Sequence, residues 1–397
     1  MKKTSTIILT GGGSGGHITP LLSVAQELKA RCPGCRVIYI GFKEDRMGDS
    51  SIKQAGVDEI FKISAGKFRR YHGESFWQHL VDVRTIALNF RDLLRVVIGT
   101  FQAINILGKT TPDIIFIKGG FVGVPVGIAA RLKSVPFVTH DSDAVAGLAN
   151  RLIGRFARLH MTALPPEFYS YPPGKVSYVG IPIDEHFGSL DSESRRQAKL
   201  ALDFDPLDPV LLVMGGGLGA AKINRHIVLI APNLLSDFKK LHIIHITGPA
   251  NLSSVEAGYQ KLSPEQINQV TVMDFTDQLY KYTSAADLVV ARAGATTLAE
   301  LAAQAQACII IPHPALAGGH QLENAQRLLE ARAIKVVPDS ASPQTLLQAI
   351  QELLSNSDLR AQLGQRLAGF ANPGSAGEIS RILIDMTRPK SKKPGDA

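Results

Sequence analysis

Cysteine, tryptophan and long apolar runs are all scarce in this sequence, which has three cysteines and one tryptophan among 397 residues. Three cysteines provide no disulfide framework, and a zinc site made of two C-x-x-C pairs is excluded because Cys32 and Cys35 form the only such pair. The most apolar long segment, residues 93–107, is interrupted by an arginine and two amides, and it falls short of the roughly 20 apolar residues that a membrane-spanning helix needs. The first residues lack the apolar stretch of a secretory signal. We therefore expect a cytoplasmic protein without a transmembrane helix.

A strong excess of charge is missing too. The formal net charge is +8, and part of it comes from the basic tail 387–397, which we expect to be disordered. No motif typical of RNA or DNA binding is present, so we expect no nucleic acid partner. A phosphorylated substrate or an anionic lipid surface would account for the basic balance equally well.

What the sequence does contain is a regular alternation of short β-rich runs and helical stretches. Runs such as RVIYI and DIIFI in the first half, and VLLVM and DLVVA in the second, are typical of strands in a parallel sheet. The length of the chain allows two domains. We predict an α/β protein with an N-terminal domain, a linker, a C-terminal domain, a helix that completes the first domain, and the tail: residues 1–165, 166–182, 183–364, 365–386 and 387–397.

Each predicted domain opens with a strand, a glycine-rich turn and a helix. The first turn fits G-x-G-x-x-G over 11–16, and the second fits G-x-G-x-x-A over 215–220. Backbone N–H groups at a helix N-terminus favour phosphate, so both turns are predicted to bind phosphate groups, on the two walls of a deep cleft. NAD is disfavoured because the second predicted strand of each domain is followed by a glycine, Gly41 or Gly248, rather than by an acid that would bind the ribose. ATP binding by a P-loop is excluded because that motif is absent from the sequence.

Five motifs together resemble one enzyme family. They are GGGSGGH at 11–17, KGGFVGVP at 118–125, THDSDAVAGLANRL at 139–152, GGGLGAAKIN at 215–224, and the stretch 287–325 that begins DLVVARAGATTLAEL. In order and spacing they resemble the bacterial peptidoglycan N-acetylglucosaminyltransferases, which convert lipid I to lipid II, and the resemblance covers about residues 5–385.

This resemblance implies a GT-B glycosyltransferase, an α/β protein with two Rossmann-like domains facing a deep cleft. The implied reaction is the inverting transfer of N-acetylglucosamine from UDP-GlcNAc to the C4 hydroxyl of the muramyl sugar of lipid I. The implied partners are UDP-GlcNAc, lipid I and the cytoplasmic face of the membrane, to which the protein would bind peripherally. Neither a cofactor nor a metal is implied.

The donor site implied by the resemblance lies in the C-terminal domain. Glu300 matches the glutamate that binds the ribose of UDP, although Thr297 and Glu300 taken alone also fit a capping box at a helix start. Arg292 matches a contact to uracil or phosphate, and the following turn would present a helix N-terminus to the diphosphate. The full set of donor candidates is Gly215, Gly217, Asn224, Arg292, Gly294, Ala295, Thr296, Glu300, Gln321 and Asn324.

The acceptor site implied by the resemblance lies in the N-terminal domain. His17 is the candidate general base, because an imidazole titrates near working pH, although a single histidine is more often structural. Asp141 is the second catalytic candidate, and with Asp143 it also fits a D-x-D pair that holds a divalent ion. The remaining acceptor and phosphate candidates are Gly13, Ser14, Gly15, Gly16, Gly120, Phe121, His140 and Asp143.

The sequence departs from the family pattern at several positions, and in HDSD at 140–143 the acid is Asp141, one methylene shorter than the family's glutamate. The acidic Asp143 and Asp184 replace an amide and an arginine, and Gly217 and Leu218 replace a serine and a glutamine of the second glycine turn. These changes keep three alternatives open: another UDP-sugar glycolipid transferase, a sugar-nucleotide epimerase of the same fold, and a non-catalytic protein that binds glycolipid or nucleotide.

The segment 66–97 interleaves basic and aromatic residues. Basic side chains suit anionic lipid headgroups and aromatic rings suit the membrane interface, so this segment predicts contact with a lipid surface. An ordinary helix with its apolar face in the core is the alternative. The membrane-contact candidates are Arg69, Arg70, Phe76 and Trp77.

Overall fold

The computed structural model describes residues 4–12, 15–45, 48–67, 83–314 and 319–388, except for the side chains of residues 15–17 and 83–86. These residues form two compact units, one made of the described parts of 1–184 and 374–397 and the other made of the described parts of 185–373. Each unit is built on one parallel sheet flanked by helices. The predicted α/β class with two Rossmann-like sheets is thus confirmed.

The sheet of the first unit has seven strands in the order β3-β2-β1-β4-β5-β6-β7. Its central strands are completely buried because both faces are covered, which explains their almost unbroken apolar sequences. The strands are β1 (Thr6–Thr10), β2 (Arg36–Phe42), β3 (Glu59–Ile63), β4 (Ile114–Ile117), β5 (Phe137–Asp141), β6 (Leu159–Thr162) and β7 (Val176–Tyr178). The helices are α1 (Gly15–Arg31), α2 (Asp49–Gln54), α3 (Val83–Thr110), α4 (Gly123–Leu132) and α5 (Leu148–Ile153), with short 3-10 turns at Gly154–Phe156 and Pro166–Phe168.

The sheet of the second unit has six strands in the order β10-β9-β8-β11-β12-β13. The strands are β8 (Val210–Met214), β9 (His242–Ile246), β10 (Val270–Met273), β11 (Leu288–Ala291), β12 (Cys308–Ile310) and β13 (Lys335–Val336). The helices of this unit are α6 (Ser192–Leu200), α7 (Ala221–Asp237), α8 (Leu252–Tyr259), α9 (Pro264–Ile267), α10 (Leu279–Ala285), α11 (Ala295–Ala303), α12 (His320–Glu330), α13 (Pro343–Ser355) and α14 (Ser357–Ala368).

The strand order reverses at one point in each sheet, between β1 and β4 and between β8 and β11. Ligands of open parallel sheets bind outside the carboxyl ends of the strands at such points. The two glycine-rich turns follow β1 and β8, so each lies at the reversal point of its own sheet.

The structure differs from the sequence expectations at the return to the first unit. A single helix was expected over 365–386, but α14 ends at Ala368 and α15 spans Ser375–Thr387. The break follows from Pro373 and Gly374, which are both unfavourable inside a helix. On α15, Ile379 and Leu383 are buried in the apolar core beside α1, and the Ser380 hydroxyl donates to the Val24 carbonyl at 3.2 Å.

The segment expected to be a linker, residues 166–182, also contains regular structure. Residues 176–178 form β7, which pairs with β6 at the edge of the first sheet. A strand of three residues, of which none is buried, is too short to give an alternating or continuous apolar pattern.

A local disulfide joins Cys32 and Cys35, which are three residues apart in the sequence, a bridge that the sequence analysis did not predict. It lies between the end of α1 and the start of β2, where the Cys35 N–H also donates to the Cys32 carbonyl at 2.9 Å. Across the described ranges, no helix is both long enough and apolar enough to cross a membrane.

Candidate functional site

The second glycine turn, residues 215–220, connects β8 to α7 and has an exposed tip. Gly216, Gly217 and Leu218 are exposed, and the first turn of α7 receives no side-chain cap. The N-cap residue Ala220 therefore offers no side-chain acceptor to the first backbone N–H groups of α7, which suits a phosphate-binding turn. The turn can approach β9 closely because it has no side chain at Gly219, where φ is +76° and a Cβ atom would lie 2.0 Å from the Thr247 carbonyl oxygen.

The neighbouring strand, β11, is followed by a second helix whose N-terminus has no side-chain cap. β11 pairs with β8, and α11 starts at Ala295 with Gly294 as its N-cap and no side-chain cap hydrogen bond. The first turn of α11 contains no acidic residue that could compete with an anion. Two helix N-termini without side-chain caps thus follow adjacent strands, which is a favourable arrangement for a diphosphate.

Glu300 is not part of a capping box, so that alternative is wrong. Thr297 is the third residue of α11 rather than its N-cap, and Glu300 is the sixth. The Glu300 residue is buried on the first turns of this helix, whose N-terminus also carries Gly294, Ala295 and Thr296.

Arg292 is held by the protein itself. Its Nη1 donates to the Ile311 carbonyl at 3.0 Å and to Asp339 Oδ1 at 2.6 Å, and Lys222 Nζ lies 3.4 Å from Asp339 Oδ2. Burial alone would raise the pKa of Asp339, but the hydrogen bond and charge of Arg292, together with Lys222, bring this pKa below its ordinary value. The structure therefore places Arg292 between β11, the end of β12 and the residues after β13. Asp339 was not selected from the sequence. What could have indicated it is its position shortly after β13, the edge strand, at the carboxyl end of the sheet where ligands bind.

Two amides tie α12 to this region. The Gln321 Oε1 atom accepts from the His313 N–H at 2.9 Å, and Asn324 Nδ2 donates to the Ala293 carbonyl at 3.1 Å. Asn324 thereby connects α12 to the turn that precedes α11.

Asn224 lies behind the glycine turn rather than on its exposed side. It is buried on α7, where its Nδ2 donates to the Thr247 carbonyl at 2.9 Å and its Oδ1 lies 3.1 Å from His245 Nε2. Both ends of the Asn224 amide therefore make contacts inside the unit.

The first glycine turn is described only in part. Gly13 and Ser14 lie outside the described residues, while Gly15 and Gly16 begin α1 and His17 is its third residue. The His17 side chain is also outside the description. The four predicted membrane-contact residues, Arg69, Arg70, Phe76 and Trp77, fall in the range 68–82, which is not described.

Asp141 ends β5 and accepts three hydrogen bonds. Oδ2 accepts from the Tyr171 hydroxyl at 2.6 Å, while Oδ1 accepts from the Gly147 N–H at 2.9 Å and from Asn150 Nδ2 at 3.0 Å. Burial raises the pKa of this carboxyl, and these three hydrogen bonds, with the charge of Lys118, oppose the rise. Oδ1 thus holds the end of the loop after β5 and the start of α5, while Oδ2 holds Tyr171 in the segment before β7.

The other predicted acceptor residues have different surroundings. His140 is completely buried, and its Nε2 donates to the Gly180 carbonyl at 2.8 Å, so it connects β5 to the residues after β7. The Asp143 carbonyl accepts from the Tyr169 hydroxyl at 2.9 Å. Gly120 lies in the turn before α4, and the Phe121 ring packs edge-on against Phe42 at 5.0 Å.

Lys118 is a charged residue at this edge that sequence reasoning did not select. It follows β4 directly, is 2% exposed, and hydrogen-bonds the Ser142 hydroxyl in the loop after β5. Burial lowers its pKa to about 8, against the opposing charges of Asp143 and Asp141. The sequence signal that could have identified Lys118 is its place directly after an apolar strand and before Gly119 and Gly120. No group of three or more potential ligand side chains that could hold a metal ion occurs among the described residues.

Comparisons with known proteins agree on one family. The N-terminal domain of glycosyltransferase family 28 matches residues 7–162, and its C-terminal domain matches residues 210–372. A protein of Thermodesulfovibrio yellowstonii is 30% identical over 97% of this chain and 99% of its own, and one of Shouchella clausii is 36% identical over 89% and 91%. Both are named UDP-N-acetylglucosamine--N-acetylmuramyl-(pentapeptide) pyrophosphoryl-undecaprenol N-acetylglucosamine transferase.

Solved structures show the same fold. Acinetobacter baumannii MurG matches with a TM-score of 0.65 and 24% identity, over 96% of this chain and 99% of that one. UDP-GlcNAc 2-epimerase of Neisseria meningitidis, bound to UDP-GlcNAc, matches with a TM-score of 0.66 and 12% identity, over 96% and 100%. Both likenesses extend over nearly the whole chain. The two domain models match residues 7–162 and 210–372, and the two relatives are 30% and 36% identical over 97% and 89% of this chain. This chain therefore belongs to glycosyltransferase family 28, among the UDP-N-acetylglucosamine--N-acetylmuramyl-(pentapeptide) pyrophosphoryl-undecaprenol N-acetylglucosamine transferases.

Proposed function

We propose that this protein transfers N-acetylglucosamine from UDP-GlcNAc to the C4 hydroxyl of the muramyl sugar of lipid I, with inversion at the anomeric carbon, and so forms lipid II. The observation that carries the proposal is the full-length similarity to enzymes named for this transfer. The two adjacent helix N-termini of the second unit support it, because they suit the diphosphate of a UDP-sugar.

In this proposal the second unit binds the donor. The diphosphate lies against the N-termini of α7 and α11, whose backbone N–H groups stabilise the charge that develops on UDP as it leaves. Glu300 binds the ribose hydroxyls, and Gln321 and Asn324 order the loops beside the sugar. Arg292 acts through Asp339 and Ile311 by fixing the ends of the neighbouring strands.

The first unit binds the acceptor. The glycine turn before α1 receives the diphosphate of lipid I, and His17 accepts the proton of the C4 hydroxyl. The hydroxyl oxygen forms a bond to the anomeric carbon, while the bond from that carbon to the β-phosphate oxygen breaks and its electrons leave with UDP. Asp141 and Lys118 act as positioning residues that hold the loop after β5, which carries Asp143.

A peripheral contact with the cytoplasmic face of the membrane completes the proposal. One face of α3 exposes six large apolar side chains at helical spacing. Arg91 and Arg95 flank this face and form ion pairs with Asp92 and Glu44. An apolar stripe with flanking arginines suits a surface of anionic lipid. The six residues are Phe90, Leu93, Leu94, Val97, Ile98 and Phe101.

The membrane contact is tested by sedimentation with vesicles that contain anionic phospholipid. Phe90 and Phe101 are 63% and 68% exposed, so replacing both with serine should weaken vesicle binding at least tenfold with little loss of stability. Leu229→Ser, at a similarly exposed apolar position on α7, is the matched control and should bind vesicles like the wild type. Equal binding of all three proteins would rule out a membrane contact through α3.

The transfer is tested by UDP release from UDP-GlcNAc, UDP-GalNAc and UDP-glucose, each with a soluble lipid I analogue. We expect release only with UDP-GlcNAc and acceptor together, and loss of release in Glu300→Ala and His17→Ala. Glu256→Ala, on an exposed position of α8, should remain active. Release with another sugar would indicate a different glycolipid transferase, acceptor-independent conversion of UDP-GlcNAc an epimerase, and UDP binding without turnover a binding protein.

A further inference from the structure

A chain of buried hydrogen bonds crosses the second unit behind the glycine turn. It begins at the Tyr259 hydroxyl on α8, which lies 2.8 Å from His245 Nδ1 on β9. His245 Nε2 lies 3.1 Å from Asn224 Oδ1 on α7, and Asn224 Nδ2 lies 2.9 Å from the Thr247 carbonyl at the end of β9. All four residues are buried, so these bonds form away from bulk water.

The direction of every bond in this chain follows from its last member. A carbonyl oxygen only accepts, so Asn224 must present its NH₂ group to Thr247 and its oxygen to His245. His245 must then donate from Nε2, and its Nδ1 must accept from the Tyr259 hydroxyl. This pattern requires a neutral imidazole, and burial supplies one by lowering the pKa of His245 to about 3.

The carbonyl at the end of the chain touches the glycine turn. Thr247 O also accepts from Asn251 Nδ2 at 3.0 Å, and it packs against Gly219 so closely that a Cβ atom at Gly219 would lie 2.0 Å away. The following residue, Gly248, would bring a Cβ atom within 2.5 Å of the Gly219 backbone. The position of the Thr247 carbonyl therefore sets how the glycine turn sits over the sheet.

We propose that His245 is a positioning residue for the donor: through Asn224 it fixes the Thr247 carbonyl and thereby the glycine turn that binds the diphosphate of the UDP-sugar. The proposal rests on the proposed function, in that it takes this turn to bind the donor. His245 itself touches neither the turn nor the substrate. Its effect is on donor affinity, while acceptor binding and the chemical step do not depend on it.

The test compares two replacements of His245 that differ in reach. In His245→Gln, the side-chain amide can place an NH₂ group near the position of Nε2 and donate to Asn224, whereas the shorter His245→Asn cannot. We expect His245→Asn to raise the Kd for UDP and the KM for UDP-GlcNAc about tenfold, the effect of one lost buried hydrogen bond. His245→Gln should stay within about twofold of the wild type. The KM for the lipid I analogue and kcat should change little in either variant.

A second variant and a control separate positioning from general stability. Tyr259→Phe removes one hydroxyl and releases the His245 tautomer, so it should raise the Kd for UDP about threefold. Gln306→Leu is the control, because Gln306 is an equally buried amide that donates to the Thr283 and Ala286 carbonyls at the other end of the same sheet. It should lower the Tm without changing the Kd for UDP.

Calorimetry with UDP decides the outcome without an acceptor. Lower Tm values with an unchanged Kd for UDP in His245→Asn and Tyr259→Phe would overturn the positioning role. An increase in the Kd for UDP in Gln306→Leu as large as that in His245→Asn would also overturn it. If the wild type binds UDP but transfers no sugar to lipid I, the proposed function fails while the positioning role is still decided by the variants. A wild-type protein that binds no UDP would overturn both.

Discussion

Gly219→Ala is the substitution for which the structure gives the clearest expected cost. At Gly219 φ is +76°, a left-handed conformation that costs an alanine about 1–2 kcal/mol. The new Cβ atom would lie 2.0 Å from the Thr247 carbonyl oxygen, so the backbone must open by about 1.4 Å to reach an ordinary contact near 3.4 Å. That carbonyl cannot retreat easily, because Asn224 and Asn251 both hold it. Overpacking adds about 1–3 kcal/mol, which gives a total loss of about 2–5 kcal/mol.

Gly216→Ala is the matched control in the same turn. Its φ of +81° carries the same conformational cost, but no atom lies within 4 Å of its Cβ position. We expect it to lose only about 1–2 kcal/mol. Guanidinium denaturation of both variants, fitted with a separate transition for each unit, measures the difference. Equal losses in the two variants would refute the argument that the glycine turn is packed against β9.

Two further predictions concern protonation. Burial lowers the pKa of His245 to about 3 and that of His160 to about 4. Below pH 6.5 the unfolded chain therefore binds more protons than the folded one, and the free energy of unfolding decreases as the pH is lowered. By pH 5 each histidine should have cost about 2 kcal/mol, and denaturation as a function of pH would contradict this if stability stayed constant between pH 7 and 5. Tyr171→Phe removes a hydrogen bond to the Asp141 carboxylate and should raise the pKa of Asp141 further. The acid limb of the pH profile of kcat/KM for the lipid I analogue should then move to higher pH, and an unmoved limb would show that Asp141 does not influence acceptor use.

Much of the fold could be predicted because its signals are local. Ile7–Leu9 and Val210–Met214 form continuous apolar runs, which parallel strands buried on both faces require. The glycines that follow them indicate turns into helices, and both turns lie where each strand order reverses. The three-residue strand β7 carried no such signal, since an edge strand without buried residues has no apolar pattern.

The candidate site was predictable in its positions but not in its contacts. Sequence resemblance selected Arg292 and Asn224 as donor residues, yet Arg292 bonds Asp339, which is 47 residues away, and Asn224 bonds Thr247, which is 23 residues away. Pairings over such separations depend on how strands and helices are packed, which no local pattern records. Lys118 was missed for a related reason, because its burial follows from the neighbouring strands rather than from its own segment.

The proposed reaction of this protein joins N-acetylglucosamine to lipid I. The most direct test is mass spectrometry of the lipid after incubation of the purified protein with lipid I and UDP-GlcNAc. We expect a product heavier than lipid I by one N-acetylhexosamine residue, formed in equal amount to the UDP released. Unmodified lipid I together with UDP-GlcNAc that is intact or epimerised would contradict it.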